Sequence, residues 1–386
     1  MSDILEKYEK FGLRANPFSD ERFDMPMVDR QSDWTKIKNV LLELLVGQSA
    51  GIVVLFGDYG MGKSYTLSKI SDFLQGAKRG GPSPSSILAA KVRASEPELP
   101  RHYSVDLFIR LIKSIGRPKL LEIFSKASEA GENFESPYDR IVPELAHGND
   151  LAWNWVSGKK LSKGELRSVG ASTQVSDSME IHDVFFGALR VFKAAGIDSI
   201  VILLDELEFL LSQAGRSKLL TIIHEVQAVW DDYNQMDPGQ KTRHAKVIFV
   251  FASSPDAWQK FLELAEQEKE KKGGGGTESF LRRIPENARL DLSPLKKADV
   301  KEFLEARISD YRTKPMEDPL FPFKSDYVDL ISRLSFGIPS KILALSALVI
   351  REAAQSRAPI KHVDSHFAET VLKDTGALIE FGEEQK

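Results

Sequence analysis

The sequence predicts an α/β fold, a parallel sheet sandwiched by helices and followed by a small all-helical domain. Three observations carry that prediction. Short apolar runs alternate with stretches of helical periodicity as far as about residue 294, the pattern of a sheet covered on both faces. The first run, residues 52–56, breaks directly into Gly57-Asp58-Tyr59-Gly60-Met61-Gly62-Lys63-Ser64, which fits G-x-x-x-x-G-K-[ST] at every fixed position. From Lys296 onward only helical patterns remain.

Composition narrows the function classes. A chain of 386 residues has room for two or more domains, and 42% hydrophobic with 28% charged residues is ordinary for a globular protein. The net charge of −4 gives no general attraction to nucleic acid, so any such contact would rest on local patches. With no cysteine, disulfides, thiol catalysis and cysteine-ligated zinc are excluded, which fits an intracellular protein. The opening MSDILEKYEKFG lacks the basic and apolar regions of a signal peptide. No run approaches the roughly 20 apolar residues of a membrane span. The expected localisation is cytoplasmic, with no membrane partner.

Each element has its own signature. In the N-terminal segment, residues 1–28, Phe11, Leu13 and Phe18 flank an Asn16-Pro17 turn and suggest a piece pinned onto a core. Trp34, Ile37, Val40, Leu41, Leu44 and Leu45 then recur as one buried helix face, which Gly47 ends. Lying just upstream of the glycine loop, this region is placed to cover a nucleotide base; plain packing explains it equally well. Residues 63–75 read as a helix with Leu67, Ile70 and Leu74 inward, 76–86 as a Gly/Pro/Ser loop, 87–94 as a strand and 105–115 as an amphipathic helix. Residues 117–180 read as the least regular part, an insertion. In it Trp153 and Trp155 precede Lys159, Lys160, Lys163 and Arg167: a nucleic-acid surface, or a solvated face with its tryptophans in the core. A helix over 182–195, an apolar strand over 199–206, a helix over 217–231 and a strand over 246–252 follow. Residues 266–279 read as a low-complexity charged loop and 289–292 as the last strand. Helices are expected over 298–311, 326–335, 340–355 and 363–374. The domains expected are thus 29–294 and 295–386, after the N-terminal segment.

The chemistry begins at the glycine loop. Glycines let the backbone wrap a phosphate and aim N–H groups at it, and the following helix adds its positive end. Lys63 would neutralise the β- and γ-phosphates and the Ser64 hydroxyl would ligate Mg²⁺, so ATP and Mg²⁺ are the expected cofactors. Gly57, Asp58, Tyr59, Gly60, Met61, Gly62 and Tyr65 complete the nucleotide-binding stretch; the alternative is a chance glycine-rich turn. A second half is needed at the carboxyl end of a buried strand. Asp205 is placed to hold the metal and Glu206 to polarise a water, unless the strand simply ends in acids. Glu208 reads as surface. Whether the loop strand and the acid strand are neighbours stays open at this level. Ser253 or Ser254, ending the strand after Asp205, would sit between γ-phosphate and water, or would cap that strand. Arg282 and Arg283, just before the last strand, are the residues that would reach a neighbouring protomer's nucleotide; as surface arginines they need no explanation. His362 and His366 are four apart without a third ligand, which makes them a solvated pair.

Taken together the set resembles the AAA+ ATPases over about residues 10–375: Walker A GDYGMGKS, Walker B VILLDE, a sensor-1-like ASS, arginines before the last strand, then a helical lid. PMVDRQSDWTKI is similar to the adenine-side box of the initiator (origin-recognition/Cdc6-like) branch, which puts Val28 at the base. FGLRANPF resembles the opening of secretion- and transposition-associated ATPases of that branch. The stretch from WNWVSGKKLSKGELRSVG to AGIDSIVILLDELEFL is similar to the ATP-binding proteins of BREX-type phage defence. The resemblance implies a P-loop AAA+ module with its nucleotide between the sheet domain and the lid. It implies ATP hydrolysis, self-association into a ring or filament, and action on or beside duplex DNA in defence, transposition or replication loading. The alternatives are a regulatory switch that recruits a protein effector with little hydrolysis, and a secretion or signalling ATPase without nucleic acid. Two departures stand out. The lid motif G-x-P-R reads Gly337-Ile338-Pro339-Ser340-Lys341 here, leaving Lys341 as the substitute for an arginine. About 30 residues follow Arg357, too few for the winged helix that initiators carry after the lid.

Overall fold

A short run of apolar, mostly β-branched or aromatic residues bounded by turn signals suits a strand covered on both faces. Three segments have that character: every residue of β1 (Gly51–Phe56), β3 (Ser199–Asp205) and β4 (Lys246–Ser253) is buried. With β2 (Ile87–Arg93) and β5 (Arg289–Asp291) they form one five-stranded sheet in the order β2-β3-β4-β1-β5. All four pairings are parallel. The computed structural model describes residues 7–19, 30–76, 87–93, 103–134, 138–175, 182–208, 216–272, 280–356 and 360–377.

The strand order answers the question the sequence leaves open. β4 lies between β1, which leads into the glycine loop, and β3, which ends at Asp205. Its register sets Phe56 opposite Ser253 and Val201 opposite Ile248. One sheet face, carrying Ile52, Val54, Ile200, Ile202, Val247 and Phe249, joins a large core. By the two-residue period the alternate positions Val53, Leu55, Val201, Leu203, Ile248 and Val250 face the other way, and they too are buried.

The helices are α1 (Gln31–Val46), α2 (Lys63–Gly76), α3 (Tyr103–Ile115), α4 (Arg117–Glu129), α5 (Tyr138–Ala146), α6 (Asp150–Val156), α7 (Lys163–Ser168), α8 (Gly187–Ala194), α9 (Arg216–Gln235), α10 (Pro238–Lys241), α11 (Pro255–Lys272), α12 (Lys297–Asp310), α13 (Ser325–Ser335), α14 (Pro339–Gln355) and α15 (Ser365–Asp374). α2 packs on β2, β3 and β4, and α3 on β2.

Two expectations are corrected. Residues 117–180 are, in their described part, largely helical: α4 to α7 occupy much of it. Asn149 caps α6, accepting from Leu151 N, and Ser162 with Glu165 forms a capping box on α7. Helices this short owe their stability to caps and buried anchors rather than to a long repeat, so periodicity misses them. Their anchors Phe124, Tyr138 and Trp155 are at most 2% exposed. The charged loop expected over 266–279 is, as far as Lys272, the end of α11. Glu, Gln and Lys are good helix formers, so charge alone does not argue for a loop; residues 273–279 lie outside the described part. The helix expected over 182–195 opens with a π-helical turn, His182–Phe186.

By its contacts the chain divides into two units, Lys36–Gly57 with Lys63–Asp291, and Met1–Thr35 with Asp58–Gly62 and Leu292–Lys386. Each has a core of its own. In the second, α12 to α15 bury Leu304, Ile331, Leu345 and Leu372 together with Phe11, Leu13 and Phe18 of the N-terminal segment. That segment is tied down by a bridge between Leu13 and Arg312 and by the Asn16 amide donating to Ala347 O at 2.9 Å.

Candidate nucleotide site

The glycine loop leaves β1 with Gly57 N donating to Ser253 O at 3.2 Å. At its tip Gly60 and Gly62 adopt φ of 82° and 84°, a region glycine enters without strain. Two consecutive carbonyls of the tip are held by protein donors: Ser340 N donates to Gly60 O at 3.2 Å, and the buried Arg30 donates from Nη1 to Met61 O at 2.7 Å. Because the peptide is planar and trans, anchoring the Met61 carbonyl turns the Gly62 N–H to the opposite side. A Cβ built on Gly62 meets nothing within 4 Å, so the space on the Cβ side of this glycine is open. Met61 is buried, whereas Tyr59 is 92% exposed. Tyr65 sits in the first turn of α2, with the Lys69 ammonium 5.4 Å from its ring centroid.

The titratable groups at the carboxyl edge of the sheet form pairs. Lys63, 8% exposed, donates to Gly57 O at 2.8 Å and lies 3.3 Å from Glu208 Oε1. Lys91, on β2, reaches Asp205 Oδ2 at 2.9 Å and Ser64 O at 3.1 Å. Arg93, two residues on, bonds Glu206. Glu206 has φ 60°, an uncommon conformation for a residue with a side chain, and its N–H bonds the Asp205 carboxylate at 3.0 Å. Lys63, Ser64, Asp205 and Glu206 are thereby gathered at one edge, with Lys91, Arg93 and Glu208 added to them. Sequence reading missed Lys91 and Arg93 and set Glu208 aside as surface. Two bases ending an otherwise apolar strand on alternate positions were the available signal for the first two.

The remaining predicted residues fall in different places. Ser253 is fully buried at the end of β4, its Oγ 3.1 Å from Ser254 O. Ser254 caps the helix α11, accepting from Ala257 N at 3.2 Å, which is neither the sensing position nor the strand cap that the sequence suggests. Arg283 makes two 2.7 Å bonds to Asp231 and lies 5.2 Å from the Trp230 ring centroid, a structural engagement within its own unit. Arg282 is exposed. Ser340 and Lys341 open the first turn of α14, and Val28 lies outside the described residues. Trp155 is buried and donates from Nε1 to Thr173 O at 2.8 Å, while Lys159, Lys160, Lys163 and Arg167 are exposed, the arrangement of a solvated face.

The donor types suit magnesium: the Ser64 hydroxyl and the Asp205 carboxylate are hard oxygen donors, on residues that the Lys91 ammonium links within one unit. Among the described residues no group of three or more His, Asp or Glu is arranged to hold a metal by itself, and no helix is long and apolar enough to cross a membrane.

Solved structures can be aligned with most of this chain at low identity. Solved structures that align with it include the Aeropyrum pernix ORC1 protein in complex with DNA, at 15% identity over 93% of this chain and 68% of that one, TM-score 0.49. Drosophila ORC bound to DNA aligns at 13% identity over 97% and 66%, TM-score 0.48. The ADP form of the Aeropyrum pernix ORC2 protein aligns at 11% identity over 93% and 72%, TM-score 0.45. No family model and no curated protein matches the sequence.

Proposed function

We propose that this protein is an ATP-driven AAA+ switch that binds ATP with Mg²⁺, hydrolyses it, self-associates when ATP is bound and acts beside DNA. The observation that supports it most is the strand order, with β4 between the loop strand and the acid strand. In that order β1, which leads into the loop before Lys63 and Ser64, and β3, which ends at Asp205, flank the strand that ends in Ser253, which supports this reading. Lys63 binds the β- and γ-phosphates once it leaves Glu208. Ser64 and Asp205 are the residues that would hold the metal, which supplies charge neutralisation between the phosphates. Glu206 orients and deprotonates the attacking water after exchanging Arg93 for it. DNA is proposed as a partner from the initiator-like motifs; with a net charge of −4 such binding rests on local bases and weakens steeply with salt.

A second reading, slow hydrolysis by a switch that holds a protein partner, is favoured by Ser340 standing where an arginine is expected and by Arg283 being engaged with Asp231. Nucleotide binding and turnover separate the two. Lys63→Ala is expected to abolish ATP binding. Glu206→Gln is expected to bind ATP like the parent and to lose turnover by about 10²-fold or more. If both variants bind ATP as the parent does, the site is wrongly placed; if the parent shows no turnover that Glu206→Gln removes, the second reading stands.

A further inference from the structure

Along β2 the first four residues, Ile87, Leu88, Ala89 and Ala90, are buried, and then the strand ends Lys91-Val92-Arg93. Lys91 and Arg93 share a face by the two-residue period. The parallel register with β3 sets Arg93 beside Asp205, and the Lys91 side chain runs forward to the same carboxylate. Its ammonium touches Asp205 Oδ2 and the carbonyl of Ser64, the first residue after the loop lysine. Asp205 is only 8% exposed and Lys91 33%, so solvent screens the pair less than a surface ion pair. A lysine held in this way sits at the acid proposed to carry the metal.

We propose that Lys91 is the resident counter-cation of Asp205 and competes with Mg²⁺ for it. The inference rests on the phosphate-loop reading above. Without metal, the Lys91 charge stays beside the loop and offsets part of the phosphate charge. With metal, Lys91 releases Asp205 Oδ2. Two consequences follow. The parent holds nucleotide with little dependence on magnesium, and removing the Lys91 charge shifts the balance toward the metal form. An ion pair with a merely structural role would alter stability and leave the magnesium dependence of binding where it was.

The test is the dissociation constant of ADP, measured by titration calorimetry on the full chain in EDTA and in saturating magnesium. In the parent the EDTA value is expected within about threefold of the magnesium value. In Lys91→Met metal-free binding weakens and magnesium binding tightens, so the ratio rises about tenfold or more, whereas Lys91→Arg keeps the parent ratio. In an Asp205→Asn background, where no carboxylate is contested, Lys91→Met no longer tightens magnesium binding. A parent ratio of a hundredfold, or a ratio unmoved by Lys91→Met, overturns the competition while leaving the phosphate loop intact. Absence of ADP binding by the parent in both conditions overturns the two readings together. If Lys91→Met does not fold, the parent ratio and Lys91→Gln decide.

Discussion

At the scale of single residues, the two left-handed glycines of the loop have different reasons to be glycine. A Cβ on Gly62 meets nothing within 4 Å, so an alanine there costs only backbone strain, about 1–2 kcal/mol. A Cβ on Gly60 falls 1.9 Å from Ser340 Oγ and 2.9 Å from its Cβ, so an alanine there adds a clash with the first turn of α14. Gly60→Ala is expected to be the more destabilising of the two by about 1–3 kcal/mol. Pairing it with Ser340→Gly should recover part of that loss, while the same second change should not rescue Gly62→Ala. Thermal unfolding of the four variants measures this coupling. What was legible in the sequence at this scale was local: the loop spacing, Lys63, Ser64 and the acids ending β3. Lys91 and Arg93 were not, because each meets the site through tertiary structure from a strand with no motif of its own; Arg30 and Glu208 lie in stretches that carry the resemblance, but their bonds to Met61 and Lys63 are tertiary.

At the scale of elements, β4 begins on Lys246, a lysine only 6% exposed at the head of a hydrophobic strand. Its ammonium donates to Leu44 O, Leu45 O and Gly47 O, the carbonyls that α1 leaves unpaired where it ends. One side chain thus closes a helix nearly two hundred residues earlier in sequence, which no local pattern announces, although the strand and the helix were each readable from their apolar spacing. Burial pulls the Lys246 ammonium down to about 8, with Asp198 opposing. Between that value and the ordinary lysine range the unfolded chain holds a proton that the folded chain does not. The Lys246 contribution therefore strengthens stability as pH rises through this window, by on the order of 1.4 kcal/mol per pH unit at its steepest. Lys246→Met should flatten this part of the stability-against-pH curve and leave three carbonyls without their donor. Urea unfolding at pH 7, 8, 9 and 10 compares the slopes. A parent and variant with parallel curves would mean that Lys246 keeps its proton throughout, held by the three carbonyls.

At the scale of the whole molecule, apolar runs and helical periods were enough to anticipate a parallel sheet followed by helices, because both depend on which faces must be buried. The order of the strands was not available, since any of several orders would bury the same residues. That order places the acids, and the arginines before β5 are the next point at which the molecule's assembly can be tested. Arg283 and Asp231 are each about one-fifth exposed and joined by two bonds, so Arg283→Ala leaves the Asp231 carboxylate without its charged partner and with the Gln227 amide at 3.3 Å. It should lower stability by about 1–3 kcal/mol whether or not ATP is present. Arg282 is exposed on the adjacent position, and Arg282→Ala should shift the unfolding transition less than Arg283→Ala does and leave the ATP dissociation constant unchanged. If Arg282 is the residue that reaches a neighbouring protomer's nucleotide, its loss removes the ATP-dependent increase in mass seen by light scattering and lowers turnover by about 10³-fold. The comparison is made with and without duplex DNA, because DNA that promotes growth in mass supports an assembly acting on it. A chain that keeps one mass with ATP and DNA together, and whose turnover ignores Arg282, is a switch that works as a single copy, with its partner bound elsewhere.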